Sequence, residues 1–485
     1  VLGLGESGLA MARALAQAGE VRVADTRQAP PMLAALREQL PQVAFSVGFD
    51  ISLLDQVSQV AVSPGLSLVN GEAADLLREA RARGIEVVGE IELFARALMA
   101  LKVQRGYQPQ IVAVTGTNGK TTTTRLAALL IASAGRAVVA AGNISPTALD
   151  ALQQSLEGDA LPDVWVLELS SFQLATTESL QCTAAAVLNI APDHLDWHGS
   201  VQAYVQAKAR IFSAQTLRVL CRDDEAVMAM ADPTADTVTF GSDAPAQGDA
   251  YGLLTDGGMT WLSWAEDLSA GEGKRRRKGA QLQAPEIHVH RLMPMDALRI
   301  RGKHNALNAL AALALARAVG CLLAPMLHAL RDYAGEPHRI APVAQIQGVD
   351  YYDDSKGTNV AATLAALEAL GGVHQKLVVI LGGDGKGQDF SPLAAPLARC
   401  ARAVALIGRD AEAIAAALAG ADYPSQRCAS LEQAVQYCAQ QAQAGDAVLL
   451  SPACASLDMF RHYAHRAEVF CAAVRELALA QGQPC

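Results

Sequence analysis

Residues 111–124 read Ile-Val-Ala-Val-Thr-Gly-Thr-Asn-Gly-Lys-Thr-Thr-Thr-Thr. A short apolar run, Ile111–Thr115, enters a Gly-rich turn, passes Lys120-Thr121 and continues into an amphipathic stretch, Arg125–Ala134. A strand whose carboxyl end feeds a helix N-terminus belongs to a parallel sheet covered by helices. The same order suits a phosphate. Gly116 and Gly119 let the backbone N–H groups around Thr117 and Asn118 turn inward, and the first helical turn at Lys120, Thr121 and Thr122 adds its partial positive charge. Lys120 reaches the outer phosphates and the Thr121 hydroxyl can ligate Mg²⁺. Val114 stands where the general phosphate-loop pattern has Gly, so the match is to a shorter version, Thr-Gly-Thr-Asn-Gly-Lys-Thr. A second Gly-rich run, Gly382–Gly387, has Gly387 in place of the hydroxyl residue and predicts no second ATP site.

Short apolar runs alternate with Ala/Leu-rich helical stretches along the whole chain, which predicts an α/β protein of three domains. The first, 1–101, is Rossmann-like, with strands near Val21–Asp25, Val43–Val47, Val60–Ser63 and Ile85–Val88. Its opening at Val1, already inside a strand pattern, suggests that a few residues precede it. Lys102–Pro109 reads as a linker. The second, 109–335, is a central P-loop ATPase-like domain with a parallel sheet; it includes Asp163–Leu167, Ala184–Asn189 and a long helix from His304 to Val319. Within it, 243–290 reads as an irregular polar loop, and its basic run Lys274–Lys278 reads as a solvated surface. The third, 336–485, is Rossmann-like again, with strands Leu377–Leu381, Ala403–Ile407 and Ala447–Leu450 and a last helix from Leu457.

At 485 residues, a single core is too small a description, and several domains are expected. The net charge of -10 excludes a nucleic-acid binder working by bulk electrostatics. The 9 Cys have no CxxC pair and read as reduced thiols of a cytoplasmic protein. No apolar run has the length of a membrane span.

Gly3-Leu4-Gly5-Glu6-Ser7-Gly8 opens the first helix, and Asp25 closes the next strand. This is a dinucleotide fingerprint, and an NAD(P)-dependent oxidoreductase is the rival reading. It leaves the phosphate loop and Lys356 unexplained. A P-loop switch or motor is a third reading, for which two further nucleotide-fold blocks are superfluous.

The short phosphate loop resembles that of the Mur ligases and the related folylpolyglutamate synthetases. Glu168-Leu169-Ser170-Ser171-Phe172-Gln173-Leu174 resembles the D-glutamate-adding branch of the Mur ligase family. Further segments match in order: Gly142-Asn143, Asp193–Asp196, Lys208, His304–Asn308, Pro337-His338-Arg339, Asp354–Asn359, Gly382–Phe390 and Ser451–Asp458. The resemblance spans nearly the whole chain. It departs at 243–290, which is longer here, and at Glu336, where the family more often has Leu.

The resemblance implies an ATP-dependent ligase of peptidoglycan precursor synthesis, acting as a monomer without nucleic acid. ATP would phosphorylate the carboxylate of UDP-N-acetylmuramoyl-L-alanine, and the amine of D-glutamate would displace phosphate. Lys120, His194, Lys208 and Lys356 would be catalytic. Two Mg²⁺ ions are implied, one with Thr121 and Glu168, the other with His194 and a carbamylated Lys208. From the residues alone, Glu168 is a strand-end carboxylate, His194 a loop His and Lys208 a solvent-facing helical lysine. Asn305, Arg339 and Asp354 would complete the ATP site with 116–122; Asn305 also reads as an N-cap. Gly5, Glu6, Ser7 and Gly8 would cradle the diphosphate of the carrier. Asp25, Thr26 and Arg27 would meet uracil, and Ser63, Pro64, Gly65, Asn143, Ser170 and Gln173 would line the rest. For D-glutamate, with two carboxylates, the third block offers Lys356, Thr358, Lys386 and Ser456, the last read as opening the final helix, with Leu457 and Tyr463 closing over the methylenes. Contributions from more than one block imply domain closure during turnover.

Overall fold

The computed structural model describes residues 1–269 and 285–483. The chain divides into two compact units, Val1–Ala297 with Leu307–Asp332, and Leu298–Ala306 with Tyr333–Cys485. The first unit opens with two small parallel pairs, β1 (Arg22–Asp25) with β2 (Ala44–Val47), and β3 (Gln59–Ala61) with β4 (Glu86–Val88). Leu2 bridges to both Ala24 and Val62, so the opening residues join the two pairs.

The same unit holds a nine-stranded sheet. Its members in chain order are β5 (Gln110–Thr115), β6 (Val138–Gly142), β7 (Val164–Glu168), β8 (Ala184–Val187), β9 (Leu217–Cys221), β10 (Thr237–Phe240), β11 (Tyr251–Asp256), β12 (Met259–Asp267) and β13 (Ile287–Pro294). They lie in the order β13-β12-β11-β10-β9-β8-β5-β7-β6. The central strands β5, β7 and β8 are near-continuous runs of Val, Ala, Leu and Ile with almost no exposed surface. Such runs fit a parallel sheet covered on both faces, where alternation has no value. Each large side chain buried there contributes about 1.5–3 kcal/mol.

The second unit is built on β14 (Ala341–Ile346), β15 (Val349–Asp353), β16 (Leu377–Gly382), β17 (Ala401–Ile407), β18 (Ser425–Arg427) and β19 (Ala447–Leu450), in the order β14-β15-β19-β16-β17-β18. Only β14 runs antiparallel to its neighbour. The chain winds outward from β16 to β18 and returns to insert β19 beside β16. The carboxyl ends of β19 and β16 therefore flank a topological switch point, where α/β sheets place ligands.

Three expectations are corrected. The described residues of 243–290 are not an irregular loop: β11 and β12 form a hairpin, and β13 pairs with β12. Gly257 and Gly258, at φ 58° and 79°, make its two-residue turn, a conformation that Gly adopts without strain. The basic run Lys274–Lys278 lies outside the described residues. The first half of the stretch Lys102–Pro109 is helix: Glu90–Arg105 extends into it and ends on Gly106 in the left-handed conformation. The last helix begins at Tyr463, not Leu457, with His462 Nδ1 accepting from His465 N at 3.1 Å as its cap. Ser456 therefore lies in the preceding turn and not at the N-terminus of that helix. Among the described residues, no helix is long and apolar enough to cross a membrane.

Candidate functional site

The phosphate loop takes the expected form. β5 ends at Thr115, the helix Lys120–Ser133 follows, and Gly116 and Gly119 have φ of 149° and 83°. A Cβ on Gly119 would stand 2.4 Å from Asn308 Oδ1, so only Gly fits that turn. The loop is braced from β8: Asn118 N donates to Asn189 Oδ1 at 2.8 Å, and Asn189 Nδ2 returns a bond to Asn118 O at 3.1 Å. Thr121 and Thr122 are buried at the head of the helix. Lys120 Nζ curls over the loop and donates to Gly116 O and Thr117 O, each at 2.9 Å.

Lys208 is the largest departure from a reading by residues alone. It is not solvent-facing: it is 1% exposed. Its Nζ donates to Gly116 O at 2.9 Å and lies 4.5 Å from the ring centroid of Tyr204. Burial, and then the nearby charge of Lys120, push its pKa well below that of an ordinary lysine. Tyr204, which sequence reasoning missed, shares a hydrogen bond of 2.9 Å with Thr117 Oγ1 and so ties this helix to the phosphate loop.

Glu168 ends β7 and is 2% exposed. Asn143 holds it from β6, donating Nδ2 to Glu168 Oε1 at 2.9 Å and N to Glu168 O at 2.7 Å. The other oxygen, Oε2, is buried and has no hydrogen-bond partner among the described residues. A buried carboxylate oxygen with no donor is costly unless a cation answers it. A carboxylate oxygen of this kind is a hard donor of the sort that Mg²⁺ takes. His194 stands in the left-handed conformation at φ 54°, with its ring edge-on to Phe172 at 4.7 Å. Ser170 and Gln173 form a capping box on the short helix Ser171–Leu174, which commits Ser170 and the Gln173 carbonyl to the turn. Phe172, Trp197 and His198 form an aromatic cluster with His194 that the sequence did not signal. Ser67 Oγ donates to Trp197 O at 3.1 Å, joining the Ser63–Gly65 loop region to it.

At the first fingerprint the three glycines have separate reasons. A Cβ on Gly3 would lie 2.9 Å from Ser63, and one on Gly8 only 2.0 Å from Gly3 O, whereas Gly5 has open space around it. Gly5 is thus where a ligand can approach the backbone, at the N-terminus of the helix Glu6–Ala16 that continues through Ser7 and Gly8. Asp25 is 2% exposed and already occupied. It accepts from Leu4 N at 2.7 Å and from Arg27 Nε and Nη2 at 2.8 and 2.7 Å. Those bonds from Arg27 hold its carboxyl down to about 2. A dinucleotide fold needs this acid open for the ribose diol; here it orients Arg27, with Thr26 between them.

In the second unit, Asp354 is buried; its Oδ2 accepts from Ser451 Oγ at 2.7 Å, and burial pushes its carboxyl up to about 7. Asn305 is not a cap. The helix begins at Lys303, and Asn305 Nδ2 donates back to Arg301 O at 2.8 Å. Arg339 follows His338, whose Nδ1 bonds Asp353 Oδ2 at 2.6 Å. Lys356 Nζ lies 5.3 Å from the Tyr463 ring centroid, and Lys356 N donates to His338 O at 3.2 Å. Thr358 is half-buried on the same segment. Asp384 and Ala455 exchange two backbone hydrogen bonds of 2.9 Å, which brings the Lys386 loop alongside Ser456. Ser456 is 4% exposed and Leu457 70% exposed. Arg466, buried and unforeseen, donates Nε to Ser355 Oγ at 2.9 Å and Nη1 to Cys454 O at 3.1 Å, locking the Asp354–Thr358 segment to the Ser451–Ser456 segment.

A strand, a Gly-rich turn and a Lys-Thr helix start, with a buried lysine against the loop, define the class of P-loop-bearing enzymes that act on ATP. Three family models match in sequence: the Mur ligase MurD-like N-terminal domain over residues 1–89, the Mur ligase middle domain over 114–316, and the Mur ligase glutamate ligase domain over 338–454. The chain belongs to the Mur ligase family and is an ATP-dependent, amide-forming ligase. It is 58% identical over 488 residues to the UDP-N-acetylmuramoylalanine--D-glutamate ligase of Ralstonia nicotianae, covering 99% of this chain and 97% of that one. It is 56% identical over 494 residues to the protein of that name from Burkholderia pseudomallei, with coverage of 99% and 97%. Among solved structures, a MurF ligase from Thermotoga maritima in complex with ADP aligns at TM-score 0.59 and 17% identity over 89% of this chain and 98% of that one. The UDP-N-acetylmuramate-alanine ligase of the same organism aligns at 0.58 and 19% over 98% and 99%. These two share the fold.

Proposed function

We propose that this protein adds D-glutamate to UDP-N-acetylmuramoyl-L-alanine through an acyl phosphate, releasing ADP and phosphate. The observation that carries the choice of amino acid is the full-length likeness to the D-glutamate ligases of Ralstonia and Burkholderia. A carboxylate resists an amine because oxide is a poor leaving group; phosphorylation replaces it with phosphate. Such a transfer depends on positioning and charge neutralisation. Lys120 neutralises the outer phosphates, and Gly116–Thr122 cradle them. Two Mg²⁺ ions, held by Thr121 with Glu168 and by His194 with Lys208, would neutralise phosphate charge and orient the reacting carboxylate.

In this reading Lys208 would hold its metal as a carbamate. A neutral amine adds to CO₂ and releases one proton, so a side chain that as ammonium would repel a metal becomes a carboxylate ligand. The buried environment that lowers the lysine pKa supplies the neutral amine. The 1–101 block holds the UDP end through Gly5–Gly8, Arg27 and the Ser63–Gly65 loop. Asn305, Arg339 and Asp354 serve ATP. Lys356, Thr358, Lys386 and Ser456, gathered on loops at the carboxyl ends of β15, β16 and β19, serve the two carboxylates of D-glutamate, beside Leu457 and Tyr463. The test is phosphate release with UDP-N-acetylmuramoyl-L-alanine and each of D-glutamate, L-glutamate, L-alanine, lysine and diaminopimelate. Preference for D-glutamate is expected. Preference for L-alanine, lysine or diaminopimelate refutes the assignment, and equal use of L-glutamate refutes its stereochemistry.

A further inference from the structure

The helix Ala411–Ala417 starts after Asp410, a residue type that ordinarily caps its own helix by accepting from the first turn. Here the carboxylate makes no bond to that turn. Its Oδ2 instead accepts from Gly385 N, 2.6 Å away, and Asp410 N donates to Gly383 O at 3.1 Å. A helix has forgone its cap, and both groups go to one loop, the loop that carries Lys386.

That loop needs holding. Lys386 has φ 52°, a left-handed conformation that costs an L-residue roughly 1–2 kcal/mol and persists only where its surroundings impose it. Gly385 permits the close approach of the carboxylate: a Cβ there would meet the Phe390 ring at 2.5 Å and Asp410 Oδ2 at 3.2 Å. On the far side, the Asp384–Ala455 backbone pair anchors the loop next to Ser456. Arg409 N donates to Asp458 Oδ2 at 2.9 Å, and the Arg409 guanidinium pairs with Asp384, giving that carboxylate a cation of its own. The turn 408–410 after β17 thus grips the Lys386 loop through backbone N–H groups, without any described contact to Lys386 Nζ.

We propose that Asp410 is a positioning residue for amino-acid recognition. By holding Gly385 N–H it sets the left-handed turn at Lys386, and hence the direction in which the ammonium meets a carboxylate of the incoming amino acid. This rests on the reading of Lys386 as an amino-acid ligand. A merely structural acid at this place would lower melting temperature and affect all substrates alike.

The experiment is steady-state phosphate release by the full-length protein, with KM measured separately for D-glutamate, ATP and the UDP carrier. The variants are Asp410→Ala, Asp410→Asn, Lys386→Met and the double Lys386→Met/Asp410→Ala. Asp410→Ala is expected to raise the D-glutamate KM about tenfold, the scale of one lost charge-assisted hydrogen bond. The other two KM values should stay within about twofold. Asp410→Asn keeps an oxygen acceptor and should recover most of the loss. In the Lys386→Met background, Asp410→Ala should add less than about twofold, because both changes remove the same interaction. The proposal is overturned if Lys386→Met raises the D-glutamate KM and Asp410→Ala does not, if all three KM values rise together, or if the two effects multiply. If Lys386→Met leaves D-glutamate KM unchanged, the reading of Lys386 fails first and takes the proposal with it. Should the Ala variant not fold, Asp410→Glu keeps the charge but lengthens its reach by one methylene. A D-glutamate KM raised about fivefold is then expected, and an unchanged KM overturns the proposal.

Discussion

Lys208→Ala separates packing from chemistry. The side chain is 1% exposed, and the substitution removes three buried methylenes and the amine. At about 0.8 kcal/mol for each methylene, the lost burial is roughly 2.4 kcal/mol. The amine adds little to that loss. Its acceptor, Gly116 O, keeps the bond from Lys120 Nζ at 2.9 Å, so no buried carbonyl is orphaned. The folded protein should therefore survive, with a melting transition lowered by only a few degrees. Activity should fall far more steeply, by at least about 100-fold, the scale for loss of one preorganised electrostatic group. The cavity left by the side chain adjoins the phosphate loop, so formate or acetate can enter it and supply the missing carboxylate. Phosphate release should then recover in part, in proportion to added carboxylate, while melting hardly changes. Two results refute this reasoning. One is full activity in the variant. The other is a folded, inactive variant that no carboxylate rescues, together with an unmodified Lys208 in the active protein by mass spectrometry.

Lys120→Ala should lower ADP formation at least about 100-fold while leaving the circular dichroism spectrum unchanged; near-normal turnover removes Lys120 from the phosphate site. Calorimetry should show UDP-N-acetylmuramoyl-L-alanine binding and no specific NAD or NADP binding, because Arg27 already occupies both oxygens of Asp25; tight NAD binding revives the oxidoreductase reading. Glu90 offers a pH test. It is buried between the helices Glu90–Arg105 and Ala148–Glu157, accepts from Leu149 N at 2.6 Å, and burial pushes its carboxyl up to about 7 from 4.5. Its folded pKa is the higher one, so the stability it contributes is present below pH 4.5 and lost as pH rises toward 7. Glu90→Gln should therefore stabilise the protein above pH 7 by as much as roughly 3 kcal/mol, and by little at pH 4.5. Equal changes in denaturation midpoint at both pH values refute the assignment.

The two Gly-rich turns that open helices at Glu6 and Lys120 were legible because their signals are local. Gly116, Gly119 and Lys120 carry their meaning within one short stretch of chain, since a strand, a left-handed turn and a helix start are each written in neighbouring residue types. The hairpin turn at Gly257-Gly258 and the helix stop at Gly106 were equally local, and the reading missed them by treating polar composition as irregular structure. The final helix was placed too early because Ser456 is a good cap by type, while His462, a less favoured one, does the capping. What only tertiary structure decided is of another kind. Lys208 has the sequence setting of an exposed lysine, and its pKa is pushed down because β5, the phosphate loop and Tyr204 close over it. Asp25 has the position of a ribose ligand, yet Arg27 and Leu4 consume it. Glu168 acquires an unanswered oxygen, and Asp410 turns from its own helix to a loop that departs from another strand. Such properties depend on desolvation and on partners distant along the chain. A periodicity or a motif reports which groups a segment carries, whereas charge state and hydrogen-bond partner are set by everything that packs around them.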